Sequence, residues 1–174
     1  IKTDASGNSY IAGYFASPNI TFDAVTLTKF IKANSLSDVF VLKYDMNGNV
    51  IWAKKASGNK NNVATSLTLD SYNKIYIAGH FSSNVCDFDT ATVSCMSSAA
   101  DLFLAKYDAL SGNSVWVKST GGNRDDKCLG IAISNTGILF LTGTFSSDSV
   151  SFGSSKVYCP DGEDYNFFLS KYAS

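Results

Sequence analysis

Asp4–Phe15 reads DASGNSYIAGYF, Asp70–Phe81 reads DSYNKIYIAGHF, and Ser134–Phe145 reads SNTGILFLTGTF. These are three copies of one segment: Gly13, Gly79 and Gly143 lie 66 and 64 residues apart, and nine residues beyond each stands Phe22, Phe88 or Phe152. Farther on, each copy has an apolar block with Phe40, Phe103 or Phe168 that ends in Lys43-Tyr44, Lys106-Tyr107 or Lys171-Tyr172. In the first two copies a turn (Asn47-Gly48-Asn49, Ser111-Gly112-Asn113) then leads into a block with Trp52 or Trp116 and a lysine two residues later. A period of this length, with aromatics and glycine at fixed offsets, makes the repeat the unit of structure.

The apolar residues come in short blocks closed by Gly, Asn, Ser or Asp, and no window keeps helical spacing for three turns. The chain therefore reads as all-β. Gly7, Asn73 and Gly137 share one column of the first turn, the two residue types that best tolerate a positive φ. The glycine inside the Tyr-Ile-Ala-Gly-x-Phe strand predicts a close backbone approach. Counting a small hairpin around Phe22, Phe88 or Phe152 and the two blocks after it gives about four strands per copy. Repeated four-stranded antiparallel units predict β-propeller blades, three in tandem with the last incomplete, within a larger ring or assembly. The expected blades are 1–66, 67–130 and an incomplete 131–174, all in one propeller segment, 1–174.

The pattern D-x-x-G-N-x-Y-I-A-G-x-F, then F-D, then D-x-F-V-x-K-Y-D-x-x-G-N-x-x-W-x-K resembles the bacterial seven-bladed β-propeller repeat, the SBBP repeat. Ser134 in place of Asp, Lys74 in place of Asn8, and Asn166 where Asp38 and Asp101 stand depart from it. The resemblance implies a secreted or cell-surface protein of unassigned biochemical role.

Composition excludes several function classes. Lys and Arg number 14 against 15 Asp and Glu, so no basic stripe for nucleic acid and no polybasic membrane patch is present. No apolar run reaches the ~18 residues of a membrane-spanning helix.

Cys86, Cys95, Cys128 and Cys159 admit two readings. If Thr90-Ala91 is the hairpin loop, Cys86 faces Cys95, leaving Cys128 and Cys159 as a second pair. An even count of this kind suggests an oxidising compartment, the alternative being four small buried hydrophobes. The absence of C-x-x-C spacing argues against zinc. Asn19-Ile20-Thr21 is an N-glycosylation sequon.

Catalytic candidates are few. His80 shares a column with Tyr14 and Thr144 and reads as an exposed or edge position. Asp4–Asn8 and Asp45–Asn49 resemble fragments of calcium loops but lack the spaced acids and closing Glu, so they read as turns. Asp38 and Asp101 read as repeated capping groups, Arg124–Lys127 as a solvated charged loop, and Trp52 and Trp116 as blade-to-blade packing. No catalytic residue, metal ligand or cofactor site is expected. The sequence thus points to a non-catalytic extracellular structural or interaction module, in the form of a secreted fibre or surface appendage. Its partners are further blades or other copies of the same protein. The alternative is a carbohydrate-binding or carbohydrate-active propeller with glycans at the blade axis.

Overall fold

The central glycine sets the geometry of each sheet. A Cβ on Gly79 would overlap the Val63 carbonyl and lie 2.9 Å from the Ala64 Cα and the Phe103 ring; one on Gly143 would overlap the Lys127 carbonyl. In both sheets the neighbouring strand bulges beside that glycine, between Ala64 and Ser66 and between Cys128 and Gly130. Glycine is therefore needed where a bulged backbone presses against the pleat.

The computed structural model describes residues 1–30, 36–95, 97, 99–159 and 165–173, and every regular element among them is a strand. The first copy comprises β1 (Lys2–Thr3), β2 (Ser9–Phe15), a hairpin of β3 (Asn19–Phe22) and β4 (Val25–Thr28), then β5 (Asp38–Tyr44) and β6 (Val50–Gly58). The second comprises β7 (Asn62–Leu69), β8 (Ile75–Phe81), the hairpin β9 (Val85–Asp87) and β10 (Thr92–Ser94), β11 (Asp101–Tyr107) and β12 (Ser114–Thr120). The third has β13 (Asp126–Ile133), β14 (Ile138–Phe145), the hairpin β15 (Ser149–Phe152) and β16 (Ser155–Tyr158), and β17 (Asn166–Ala173).

Sheet order follows chain order once the hairpins are set aside. The second copy forms the antiparallel sheet β7-β8-β11-β12, the first contributes β1-β2-β5-β6, and the third forms β13-β14-β17. These are the antiparallel sheets of propeller blades, stacked face to face. The expected boundaries at 66/67 and 130/131 cut through β7 and β13, whose polar first halves read in the sequence as connecting segments. The sheets instead divide at the short loops 59–61 and 121–125.

The hairpin is not a third strand of its own blade. It leaves that sheet, and β9 adds to the outer strand of the preceding one, with Ser57 opposite Asp87 and Gly58 opposite Cys86, extending the first sheet to six strands. The third hairpin lies likewise against β12, where the Thr120 hydroxyl donates to the Ser151 carbonyl.

Two apolar layers hold the three sheets together. The first joins Tyr10, Val39, Val41 and Trp52 to Ile75, Ile77, Phe81 and Phe103; the second joins Tyr76, Ala78, Leu102 and Leu104 to Leu139, Leu141, Phe145 and Phe168. The middle sheet is buried on both faces, which is why β8 and β11 are near-continuous apolar runs. Side chains of period two send Ile75 and Ile77 one way and Tyr76 and Ala78 the other.

Candidate functional site

The repeated acidic residues are occupied with the chain's own backbone. Asp4 Oδ1 accepts from the amides of Ser6 and Asn8, Asp45 Oδ1 from those of Asn47 and Asn49, and Asp70 Oδ1 from those of Tyr72 and Lys74. Gly7, Asn73 and Gly137 have φ of 80°, 59° and 81°, as their shared column predicts. Hydrogen bonds from Asn49 hold the Asp45 carboxyl below its ordinary range, and the Lys74 ammonium, 2.6 Å away, does the same for Asp108. These loops are Asx-type turns with their oxygens committed. Among the described residues no group of three His, Cys, Asp or Glu side chains is arranged to hold a metal ion.

At the opposite rim, carboxylates are buried and structural. Asp38 accepts the Phe30 amide at 2.7 Å, while Asp126 accepts the amides of Ser146 and Ser147 at 3.2 Å and the Ser147 hydroxyl at 2.7 Å. Burial raises both carboxyls above their usual range. The segment Arg124–Lys127 is thus not a uniformly solvated loop, because Asp126 is fully buried as the anchor of the 145–148 turn. The sequence contains a signal for this rim: Ser57-Gly58-Asn59-Lys60 recurs as Gly121-Gly122-Asn123-Arg124, with Ser83 and Ser147 in one column. Lys60 donates its amide to Ser83 Oγ and Arg124 its amide to Ser147 Oγ, both at 2.9 Å.

His80 is not an edge residue either. It faces the third sheet, half-buried, and its Nδ1 lies buried without a hydrogen-bond partner. Burial, aided by the Lys127 charge and opposed by Asp125, lowers its pKa to about 4. The unfolded imidazole, near 6.5, gains its proton first, so stability is full above pH ~6.5 and falls as pH drops towards 4. We expect a loss of up to about 3 kcal/mol over that window, measured as the denaturation midpoint at pH 7, 5.5 and 4, and a His80→Phe variant that lacks this slope.

Cys86, Cys95 and Cys128 are free thiols. The two-residue hairpin loop is Asp89-Thr90, with Asp89 at φ 75°, rather than Thr90-Ala91. This places Cys86 opposite Val93, and the Cys95 amide bonds to the Asn84 carbonyl, so Cys86 and Cys95 are out of register for a bond. Cys128 is on β13, whereas Cys159 Sγ accepts from Asn166 on β17, with β14 between these two strands. Burial pushes Cys86 far above the ordinary thiol range and raises Cys128 to about 11. In the native protein Cys86 and Cys128 should resist a thiol reagent that reaches Cys95 faster, with all three titrating after unfolding without reductant; loss of any of the three would restore a disulfide.

Specific polar pairs also join the blades. Trp52, 8% exposed, donates its indole N–H to the Ala109 carbonyl of the next sheet at 3.3 Å; Lys43 donates to the same carbonyl, and Lys54 to Asn113 Oδ1 at 2.8 Å. Along the inner strands the Thr65 hydroxyl donates to the Cys128 carbonyl at 2.8 Å, and the Ile131 amide to Ser66 Oγ at 3.2 Å. Trp116 packs on Tyr76, ring centroids 6.2 Å apart, at the margin of the second apolar layer. Trp52 therefore packs between blades, whereas Trp116 rests on Tyr76 of its own sheet.

The same columns are open elsewhere. Leu102 and Leu104, 2% and 4% exposed, correspond to Phe167 and Leu169 in the third sheet, 89% and 76% exposed. Asn19, the sequon residue, is exposed at the start of β3.

No family model matches the sequence. Over 114 residues the chain is 30% identical to regulatory protein FlaEY of Caulobacter vibrioides, a stretch covering 64% of this chain and 12% of that protein. It is 29% identical over 114 residues to an uncharacterized WD repeat-containing protein, L264, of Acanthamoeba polyphaga mimivirus, covering 62% of this chain and 8% of the relative. The matched stretch is thus a small part of each relative's length. The chain is distantly and partially homologous to these proteins and has a repeat, β-propeller-like fold.

Proposed function

We propose that this chain is a non-catalytic structural and interaction module of the SBBP repeat type, whose blades associate with further blades or other copies of the same protein at a cell surface or in a secreted fibre. The observation that carries the reading is the exposure of Phe167 and Leu169, in the columns that Leu102 and Leu104 fill between sheets. An apolar sheet face of this kind is stable in water when another sheet covers it. The commitment of the repeated Asp side chains to backbone and neighbouring side chains also favours a scaffold over a catalyst. The exposed sequon at Asn19 supports a surface location. An interaction scaffold is in keeping with the word "regulatory" in the name of the Caulobacter relative.

Sedimentation velocity tests the proposal. The chain should associate over a roughly hundredfold rise in concentration, corresponding to a weak contact, and a Phe167→Asp/Leu169→Asp variant should remain monomeric. A wild-type chain that stays monomeric throughout and unfolds cooperatively would overturn it.

A further inference from the structure

The first turns of the second and third copies break their repeat columns, and the two breaks meet at one cavity. Tyr72 stands where the other copies have Ser6 and Thr136, and it is 83% exposed. Its backbone does the work of the turn: the Tyr72 amide donates to Asp70 Oδ1 at 2.9 Å, as the Ser6 amide does to Asp4. The ring itself is left in solvent, where it gains nothing from burial. In the third copy Ser134 and Phe140 replace the hydrogen-bonded pairs Asp4–Tyr10 and Asp70–Tyr76. The Ser134 hydroxyl still accepts the Ile138 amide at 3.0 Å, so this turn keeps its bond and loses its negative charge.

Between the two turns lies a cavity of about 220 Å³, with Asp70, Ser71 and Tyr72 on one wall and Ser134, Asn135 and Thr136 on the other. Ser71 and Asn135 are exposed, and among the described residues their side chains hold no hydrogen bond. The Thr136 hydroxyl meets that of Ser134 at 2.9 Å and keeps further bonding capacity. Asp70 has Oδ1 committed to the amides of Tyr72 and Lys74 and Oδ2 to the Tyr76 hydroxyl. The lining thus joins a rigid aromatic surface to adaptable neutral groups, the division of labour that Tyr, Ser and Asn have in binding loops. It holds a carboxylate and no cation, which disfavours phosphates, carboxylates and acidic sugars.

We propose that this cleft binds one neutral sugar ring of an oligosaccharide, with Tyr72 against its C–H face and Ser71, Asn135 and Thr136 bonded to its hydroxyls. Polarised C–H groups are drawn to the negative face of an aromatic ring, and sugar hydroxyls donate and accept alike, as the opposite wall requires. The cavity is smaller than the roughly 300–1,000 Å³ that encloses a drug-sized ligand, so it holds a single ring and leaves the rest of the chain in solvent. Sugar binding here is independent of blade association: the cleft is at the turn before Ile138, whereas Phe167 pairs with Thr144 at the far end of β14.

Amide NMR titration of the whole chain with neutral tetrasaccharides of glucose, mannose, galactose and N-acetylglucosamine tests the site. The amides of Ser71, Tyr72, Asn135 and Thr136 should shift saturably with at least one of them, at a Kd of about 1–10 mM. Tyr72→Ser, which takes the residue of the first copy, should weaken binding at least about tenfold with an unchanged urea midpoint, while Tyr72→Phe should stay within about threefold. No saturable shift with any of these sugars up to about 50 mM, or equal binding by Tyr72→Ser, would overturn the site. Shifts at these amides with inorganic phosphate or sialyllactose, and none with the neutral sugars, would overturn the ligand class.

Discussion

Gly79→Val is expected to unfold the protein or to cost about 3–5 kcal/mol, the range of severe core lesions. The added Cβ overlaps the Val63 carbonyl, and the two γ-methyls enter the Phe103 ring space, so relief requires straightening the bulge at Thr65. Thr65 cannot shift alone, because its hydroxyl is bonded to the Cys128 carbonyl of the next sheet. A glycine in a turn gives the contrast. Gly48 has φ 86° and open space around its Cβ position, so Gly48→Ala should cost only about 1 kcal/mol, from backbone strain. Urea titration of both variants separates the two mechanisms.

Phe88→Ala should cost about 3–4 kcal/mol, while Phe22→Ala, in the same column of the first hairpin, should cost about 1 kcal/mol. Phe88 is fully buried and meets Phe103 edge-on with centroids 5.0 Å apart, while Phe22 packs on Phe40 at 5.3 Å with part of its ring in solvent. The difference arises from the preceding sheet, which covers one hairpin and leaves the other open. Equal losses in the two variants would mean that the hairpins owe nothing to their neighbours.

Much of the architecture was legible because it is written three times. The Gly13, Gly79 and Gly143 column predicts a close approach, and the bulged neighbours of Gly79 and Gly143 supply it; the Gly7, Asn73 and Gly137 column predicts positive φ at the turn. The hairpin loop lies one residue earlier than the sequence predicts, because Asp89 looks like the end of a strand. Its column mates, Asp23 and Gly153, are also left-handed at φ 49° and 64°, and that column marked the position. The blade boundaries drifted because Asn62–Leu69 is a polar inner strand: Asn62 is buried by hydrogen bonds to the Ser37 carbonyl rather than by apolar contacts. Attachment of a hairpin to the preceding blade is a long-range pairing of two or three residues, and no local pattern encodes it.

The same limit applies to the candidate site. That Cys86 faces Val93 follows from the loop register, and that His80 is half-buried follows from a third sheet lying over it, which its column mates Tyr14 and Thr144 do not reveal. The Ser-Gly-Asn crossing could have been found from its recurrence 64 residues later, but its purpose emerges only when Ser83 and Ser147 are seen beneath the glycines.

The blades are tied by hairpins that cross from one blade to the outer strand of the one before. Cross-strand nuclear Overhauser effects on the unmodified chain measure this directly. We expect contacts between Ser57 and Asp87 and between Gly58 and Cys86, matching the ladder of β6 with β9. Contacts that instead tie Cys86 and Asp87 to a strand of their own sheet, with none to Ser57 or Gly58, would contradict it.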